Sequence, residues 1–107
     1  MRVIGLVINN NSYYDILNIR KTEDYRLVSP YYISRFLNWR ESGMSRFDCI
    51  KSLTKFETKC LKFLKFDTIK FIRNYKLLNG FYIELHNMSI IKKNKKYFFR
   101  LELGDII

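Results

Sequence analysis

Residues 46–65 carry the strongest structural pattern in the chain, because their apolar and basic side chains separate at helical spacing. On a helical wheel the apolar side chains fall within an arc of about 140°, and the lysines within an arc of about 120° on the opposite side. The apolar set is Ile50, Leu53, Phe56, Cys60, Phe63 and Leu64, and the basic set is Lys51, Lys55, Lys59, Lys62 and Lys65. Ser45, with Asp48 three residues later, suits the start of a helix. The pattern therefore predicts an amphipathic helix from Arg46 to Lys65 whose apolar side is core.

The basic face of this predicted helix, which we call the lysine stripe, points to an anionic partner. Like charges four residues apart destabilise a helix by a few tenths of a kcal/mol each, roughly, and no acidic residue lies near the centre of the stripe. The whole chain has 20 lysines and arginines against 10 acidic residues, a net charge of +10. Such a field attracts polyanions and accelerates their association. We expect nucleic acid as the partner; an acidic protein, a membrane surface and simple solvation are the alternatives.

A second helix is predicted to precede the first. Ser29 can cap the free N–H groups of its first turn, and Pro30 suits the first helical position. Gly43 predicts its end. Trp39 falls about 60° to the side of the apolar stripe of this helix. Trp39 and Arg40 are therefore candidate contacts to nucleic acid, with packing at the edge of the core as the alternative for Trp39.

The N-terminal region is predicted to be β-structure. Residues 2–8 are apolar and β-branched, residues 9–12 are turn formers, and residues 13–20 resume an apolar pattern. Together they predict an N-terminal β-hairpin. Residues 66–78 fit either a third helix capped by Asp67 or an alternating strand, and the pattern slightly favours the helix.

The C-terminal region predicts a second hairpin, with strands over Phe81–Ile91 and Tyr97–Leu103 and an end at Gly104. Its turn, which we call the basic tip, consists of Lys92, Lys93, Lys95 and Lys96 around Asn94. These lysines are candidate phosphate contacts, and the adjacent Tyr97 is a candidate to stack on a base. A turn that merely keeps the protein soluble is the alternative.

The predicted fold is one α+β domain over residues 1–107. An N-terminal β-hairpin comes first, two or three helices follow, and a C-terminal β-hairpin closes the order. Helices followed by a hairpin with a basic tip also suit a winged-helix arrangement. The apolar fraction of 48%, with 17% aromatic residues, is sufficient for a real core.

The sequence offers no pattern for catalysis, a metal or a cofactor. Cys49 and Cys60 would lie roughly 16 Å apart on the predicted helix, too far for a disulfide. With His86 far along the chain, a metal site is not expected. We expect two buried thiols in a reducing compartment and a strand histidine that faces solvent. The longest neutral stretch, residues 3–14, is too short and too polar to span a bilayer.

The composition indicates the kind of genome. Alanine is absent, whereas Phe, Tyr, Ile, Asn and Lys, whose codons are rich in A and T, are abundant. An organelle, a virus or phage, or an AT-rich bacterium fits. The first hypothesis is a small non-enzymatic RNA-binding protein, a ribosomal or other ribonucleoprotein component. Its partners would be rRNA and neighbouring proteins in a mitochondrial or plastid ribosome. The alternatives are a viral or phage protein that binds DNA or a host protein in an infected cell, and a small subunit that docks through aromatic surface.

Overall fold

The computed structural model of the protein describes residues 2–18, 21–38, 40, 43, 45–48, 51, 62–73 and 80–107. The elements in chain order are β1 (Val3–Ile8), α1 (Asn10–Leu17), β2 (Glu23–Leu27), α2 (Pro30–Phe36), β3 (Thr68–Arg73), β4 (Gly80–Lys93) and β5 (Lys96–Ile106). The strands form a five-stranded mixed sheet in the order β1-β3-β4-β5-β2. The predicted α+β class is confirmed.

The chain divides into two compact units, each made of segments that are separate in sequence. Unit 1 comprises Met1–Asp24, Lys65–Ser89 and Arg100–Ile107, and unit 2 comprises Tyr25–Leu64 and Ile90–Phe99. The strands β4 and β5 contribute residues to both units. The single domain over residues 1–107 stays a prediction.

In unit 1 the strand β3 is paired on both sides. β1 pairs with β3 in parallel, and β4 pairs with β3 antiparallel. Because side chains alternate across a strand, every second residue of these strands enters the core. The buried residues of unit 1 include Ile4, Leu6, Ile8, Ile16, Ile69, Phe71, Ile83, Leu85, Leu101 and Leu103.

The predicted N-terminal β-hairpin is wrong, because a helix follows β1. The side chain of Asn9 caps α1, its Oδ1 accepting a hydrogen bond from the Ser12 N–H at 2.8 Å. The run of asparagines, which suggested a turn, begins a helix instead. Asparagine is also a preferred residue at the N-cap of a helix. Ile16 is buried, and the Tyr13 ring meets Phe81 edge-on with centroids 5.1 Å apart. Tyr13 and Ile16 are three residues apart, so a helix directs both side chains to the same side.

Residues 68–73 form a strand, so the slight preference for a helix over residues 66–78 is wrong in this part. β3 is paired on both sides, by β1 and by β4, which satisfies the backbone groups that a helix would otherwise pair internally. Asp67 caps no helix. Its carboxylate accepts from the Arg2 N–H at 3.2 and 3.3 Å and from the Thr68 hydroxyl at 2.8 Å. The hydrogen bond from Thr68, followed by that from Arg2, lowers the pKa of Asp67.

In unit 2 the predicted helix start at Ser29 is confirmed. Its hydroxyl accepts from the Tyr32 N–H at 3.3 Å, and Pro30 stands in the first turn. The helix ends at Phe36 and does not extend to Gly43 as predicted. Leu37 is extended, with φ −111° and ψ 145°, and it forms an antiparallel bridge with Phe63. Gly43 closes a turn instead, with φ +72° and its N–H donating to the Arg40 carbonyl.

The predicted helix over residues 46–65 is right at its start and wrong at its end. The Ser45 hydroxyl accepts from the Asp48 N–H at 3.1 Å, and residues 46–48 and 51 are helical. Residues 62–64 are extended instead: the Asn38 N–H donates to the Lys62 carbonyl and the Leu64 N–H to the Phe36 carbonyl, each at 2.8 Å. This pairing replaces the last helical turns. Residues 52–61 lie outside the described part of the chain, as do the predicted core residues Ile50, Leu53, Phe56 and Cys60 and the second cysteine, Cys49.

Aromatic rings form the core of unit 2. Phe36 packs edge-on against Phe99 with centroids 5.0 Å apart, and Phe63 approaches the same ring at 6.2 Å. Tyr32 stacks on Phe36 at 5.4 Å. Residues 62–64 thus supply an aromatic side chain to this core from an extended segment.

The predicted C-terminal hairpin is confirmed and is longer than expected. β5 continues through Gly104 to Ile106, so this glycine does not end the strand. The His86 ring lies where a side chain at Gly104 would stand, so the imidazole covers the glycine across the two strands. His86 itself is exposed, as predicted. A winged-helix arrangement is not confirmed, since β4 and β5 are inner strands of the sheet.

Candidate nucleic-acid interface

The basic tip of unit 2 is centred on a two-residue hairpin turn. Asn94 and Lys95 connect β4 to β5, and both have positive φ, 51° and 62°. Positive φ at both central residues is the geometry whose twist matches two antiparallel strands. All four lysines of the tip are exposed. The tip therefore concentrates four cationic side chains on one turn.

The lysines of the tip are distributed over the two faces of the hairpin. The Nζ of Lys92 lies 5.7 Å from the centroid of the Tyr97 ring, a distance at which a cation interacts with the ring face. The opposite face of the hairpin has a cavity that is lined by Lys93, Lys96 and Phe98. The tip thus offers two different settings for its charges.

We call that cavity the aromatic cleft. It has a volume of about 380 Å³, and its lining residues are Tyr25, Lys93, Asn94, Lys96 and Phe98. Tyr25 belongs to β2 and is 43% exposed, whereas Phe98 belongs to β5 and is half-buried. The cleft therefore combines two aromatic rings from separate strands with two ammonium groups and one amide.

Tyr25 is a residue that sequence reasoning missed. Its one signal was an aromatic side chain between charged neighbours, Asp24 and Arg26, of which the first is buried with 4% exposure. That alternation turns Tyr25 outward. Its position in the cleft follows from the sheet order, which places β2 beside β5.

Tyr97 lies beside the tip but is not among the residues that line the aromatic cleft. The residue is half-buried, and its hydroxyl oxygen is buried without a hydrogen-bond partner in the described residues. Phe98, one residue later, is the aromatic side chain of this strand that lines the cleft. Stacking of a base on Tyr97 stays a prediction.

The lysine stripe is not continuous in the part that the structure describes. Lys51 is helical and exposed, whereas Lys62 and Lys65 are exposed in extended chain. The prediction that Lys62 and Lys65 share a helical face with Lys51 is therefore wrong. Lys55 and Lys59 lie outside the described residues.

Arg40 lies beside a second cavity of unit 2, of about 580 Å³. Arg46 lines the same cavity, with Asn38 and Ser34 as polar neighbours and Leu37 and Leu64 as apolar ones. Two arginines therefore line one cavity, and contact of Arg40 with nucleic acid stays a prediction. Trp39 lies outside the described residues.

The described residues show neither a metal centre nor a membrane span. They contain no group of three His, Cys, Asp or Glu side chains that could hold a metal ion. In the same ranges, no helix has both the length and the apolar character needed to cross a bilayer. His86 has the Glu84 carboxylate 3.9 Å from its Nε2.

Comparison with known proteins finds no match to this chain among protein families, curated protein sequences or solved structures.

Proposed function

We propose that this protein is a small non-enzymatic nucleic-acid-binding protein that holds the phosphate backbone with its basic tip. Its first candidate partner is RNA within a ribonucleoprotein. The observation that carries the proposal is the tip itself, four exposed lysines in and beside one two-residue turn. Within the described residues, Lys93, Lys95 and Lys96 have no ion-pair partner. Their charge is therefore available to an anionic partner.

The backbone at Lys95 adds a second argument. Its φ of +62° is a conformation that costs a side-chain-bearing residue about 1–2 kcal/mol, and glycine is the residue that such a turn favours. A lysine at this position lowers local stability, and it also repels the neighbouring lysines. Contact with phosphates would offset both costs. Local strain of this kind is commonly retained where it supports a function.

The chemistry of the tip suits a backbone contact better than base reading in a groove. Lysine is a flexible point charge with three donors, which fits phosphate oxygens in many geometries. With a net charge of +10, the rest of the chain adds long-range attraction for a polyanion. The AT-biased composition keeps an organellar or viral source in view, and with it a ribosomal or a viral nucleic-acid partner.

The test is the salt dependence of binding, with two variants matched in charge. Fluorescence anisotropy measures the affinity for a labelled single-stranded RNA over a range of salt concentrations. Lys93→Ser/Lys96→Ser removes two charges from the tip, and Lys62→Ser/Lys65→Ser removes two exposed charges elsewhere. The slope of log affinity against log salt should fall by about 1.4 in the tip variant, since each phosphate neutralised on a single strand contributes about 0.7. The other variant should change the slope less.

Equal losses in the two variants would mean that binding follows net charge and not the tip. No measurable binding of RNA or DNA by the parent protein at low salt would remove nucleic acid as the partner. Parallel titrations with DNA of the same base sequence decide between the two nucleic acids. Sedimentation with ribosomes at low and high salt tests the ribonucleoprotein assignment directly.

A further inference from the structure

We propose that the aromatic cleft binds an unpaired nucleobase, so that the protein selects single strands over duplexes. This inference rests on the proposed function and names the form of nucleic acid that it recognises. The juxtaposition that carries it is Tyr25 of β2 and Phe98 of β5 in one cavity with Lys93, Asn94 and Lys96.

The lining of the cleft matches the parts of a nucleotide. Two aromatic side chains provide apolar ring surface, on which any base can stack because every base has a π-face. The cavity of about 380 Å³ lies at the low end of the roughly 300–1,000 Å³ found for small-molecule sites. It is therefore suited to a single flat group rather than to a helix or a strand of a partner protein.

The polar residues of the cleft can contact the phosphates and the base edge of a nucleotide. Lys93 is the last residue of β4 and Lys96 the first residue of β5, and neither has an ion-pair partner among the described residues. They are thus positioned beside the cleft for the phosphates that flank a base. The Asn94 side chain offers both a donor and an acceptor, the two functions that a base edge presents.

A duplex lacks the group that the cleft would take. Its bases are paired and stacked inside the helix, so only phosphates would reach the tip, and extrusion of a base costs a few kcal/mol, roughly. Single strands offer bases and phosphates together. An acidic peptide with an aromatic side chain is an alternative occupant of the cleft. If a peptide is the true occupant, removal of the bases from a bound strand should not weaken its binding.

The decisive probe is an oligonucleotide without bases. A labelled oligouridine and an abasic strand of the same length carry the same number of phosphates. At one fixed salt concentration the abasic strand should bind roughly 5- to 150-fold more weakly, the range for one stacked base. Tyr25→Ala should cause a loss of the same order on oligouridine and no further loss on the abasic strand. This double cycle isolates the contact between the ring and the base from the charge.

A control variant and a second test variant come from the same unit. Tyr31→Ala removes a tyrosine that is 56% exposed and does not line the cleft, and it should leave both affinities unchanged. Phe98→Leu keeps an apolar side chain at a half-buried position, so it should fold, and it should weaken oligouridine binding alone. Circular dichroism verifies the fold of each variant.

The outcomes separate the two proposals. Equal binding of abasic strand, oligouridine and duplex, with the salt dependence retained, would leave nucleic-acid binding by the tip intact and overturn the cleft. An unchanged affinity in both Tyr25→Ala and Phe98→Leu would do the same. Absence of binding to every nucleic acid would overturn the proposed function itself. A duplex affinity well below that of oligouridine, with the difference abolished in Phe98→Leu, supports the cleft.

Discussion

Replacing Lys95 with glycine should make the protein more stable and a weaker binder. Lys95 is the second central residue of the tip turn, with φ +62°. Glycine adopts this conformation without steric cost, whereas lysine brings a Cβ too close to its own carbonyl. The same change removes one of the four charges of the tip. One substitution thus tests both the conformational cost of Lys95 in the turn, through stability, and its contact with the proposed partner, through affinity.

The magnitude follows from two opposing terms. Relief of the left-handed backbone contributes about 1–2 kcal/mol. Glycine also makes the unfolded chain more flexible, which takes back about 0.5–1 kcal/mol. The difference is a net gain of about 0–1.5 kcal/mol, and its midpoint of about 0.75 kcal/mol corresponds to a rise in Tm of about 3–6 °C for a domain of this size. Less repulsion among the remaining lysines adds to the gain, by an amount that salt screens.

The assay combines thermal unfolding with RNA binding across salt concentrations. The salt slope should fall by about 0.7 if Lys95 contacts one phosphate. Lys96→Ser is the control, since it removes a charge from an extended position without changing a positive φ. That variant should bind more weakly and should gain only the part of the Tm rise that comes from reduced repulsion, which salt screens. A lower Tm in Lys95→Gly would refute the account of the turn, and an unchanged salt slope would remove Lys95 from the interface.

Three further changes test the fold. Gly80→Ala should lower the Tm more than Gly104→Ala. At Gly80 the new methyl group would meet a backbone carbonyl of the neighbouring strand, an overpacking that costs about 1–3 kcal/mol of stability. At Gly104 it would meet the exposed His86 ring, which can rotate away. Asp67→Asn should lower the Tm at neutral pH. Since the pKa of Asp67 is lowered in the folded state, that contribution is complete above the ordinary value of 3.8 and disappears as the pH falls through the lowered pKa, so the difference between parent and variant should shrink in acid. Phe99→Ala, at a fully buried ring, should cost about 3–5 kcal/mol in chemical denaturation, and a loss below about 1 kcal/mol would contradict its place in the core.

Local signals in the sequence predicted the starts of two helical segments, where a serine supplies the cap. Ser29 with Pro30 fixed the start of α2, and Ser45 fixed the start of the next helical segment. The strand pattern after the basic tip was also right, and two of its apolar residues, Phe99 and Leu101, are fully buried. In these cases the residues that decide the structure are neighbours in sequence.

Helix and strand were confused where distant segments supply the partner. Residues 62–64 continue a helical apolar pattern, yet their backbone groups pair with residues 36–38, and Phe63 reaches the Phe99 ring. β3 had nearly equal signals for both states, and pairing with β1 and β4 makes it a strand. Short apolar runs carry this ambiguity because their periodicity alone does not say which backbone partner exists.

The candidate site shows the same division between local and distant information. The tip was foreseen because its charges are consecutive and flanked by two strand patterns. Phe98 stands out from Tyr97 only once the alternation of β5 is fixed, since the two rings leave the strand on opposite faces. Tyr25 lies far from the tip in sequence, and only the order of strands brings it to the aromatic cleft. The charges of the proposed interface could therefore be predicted from the sequence, whereas the proposed base-binding cleft could not, because its two rings belong to strands that no local pattern connects.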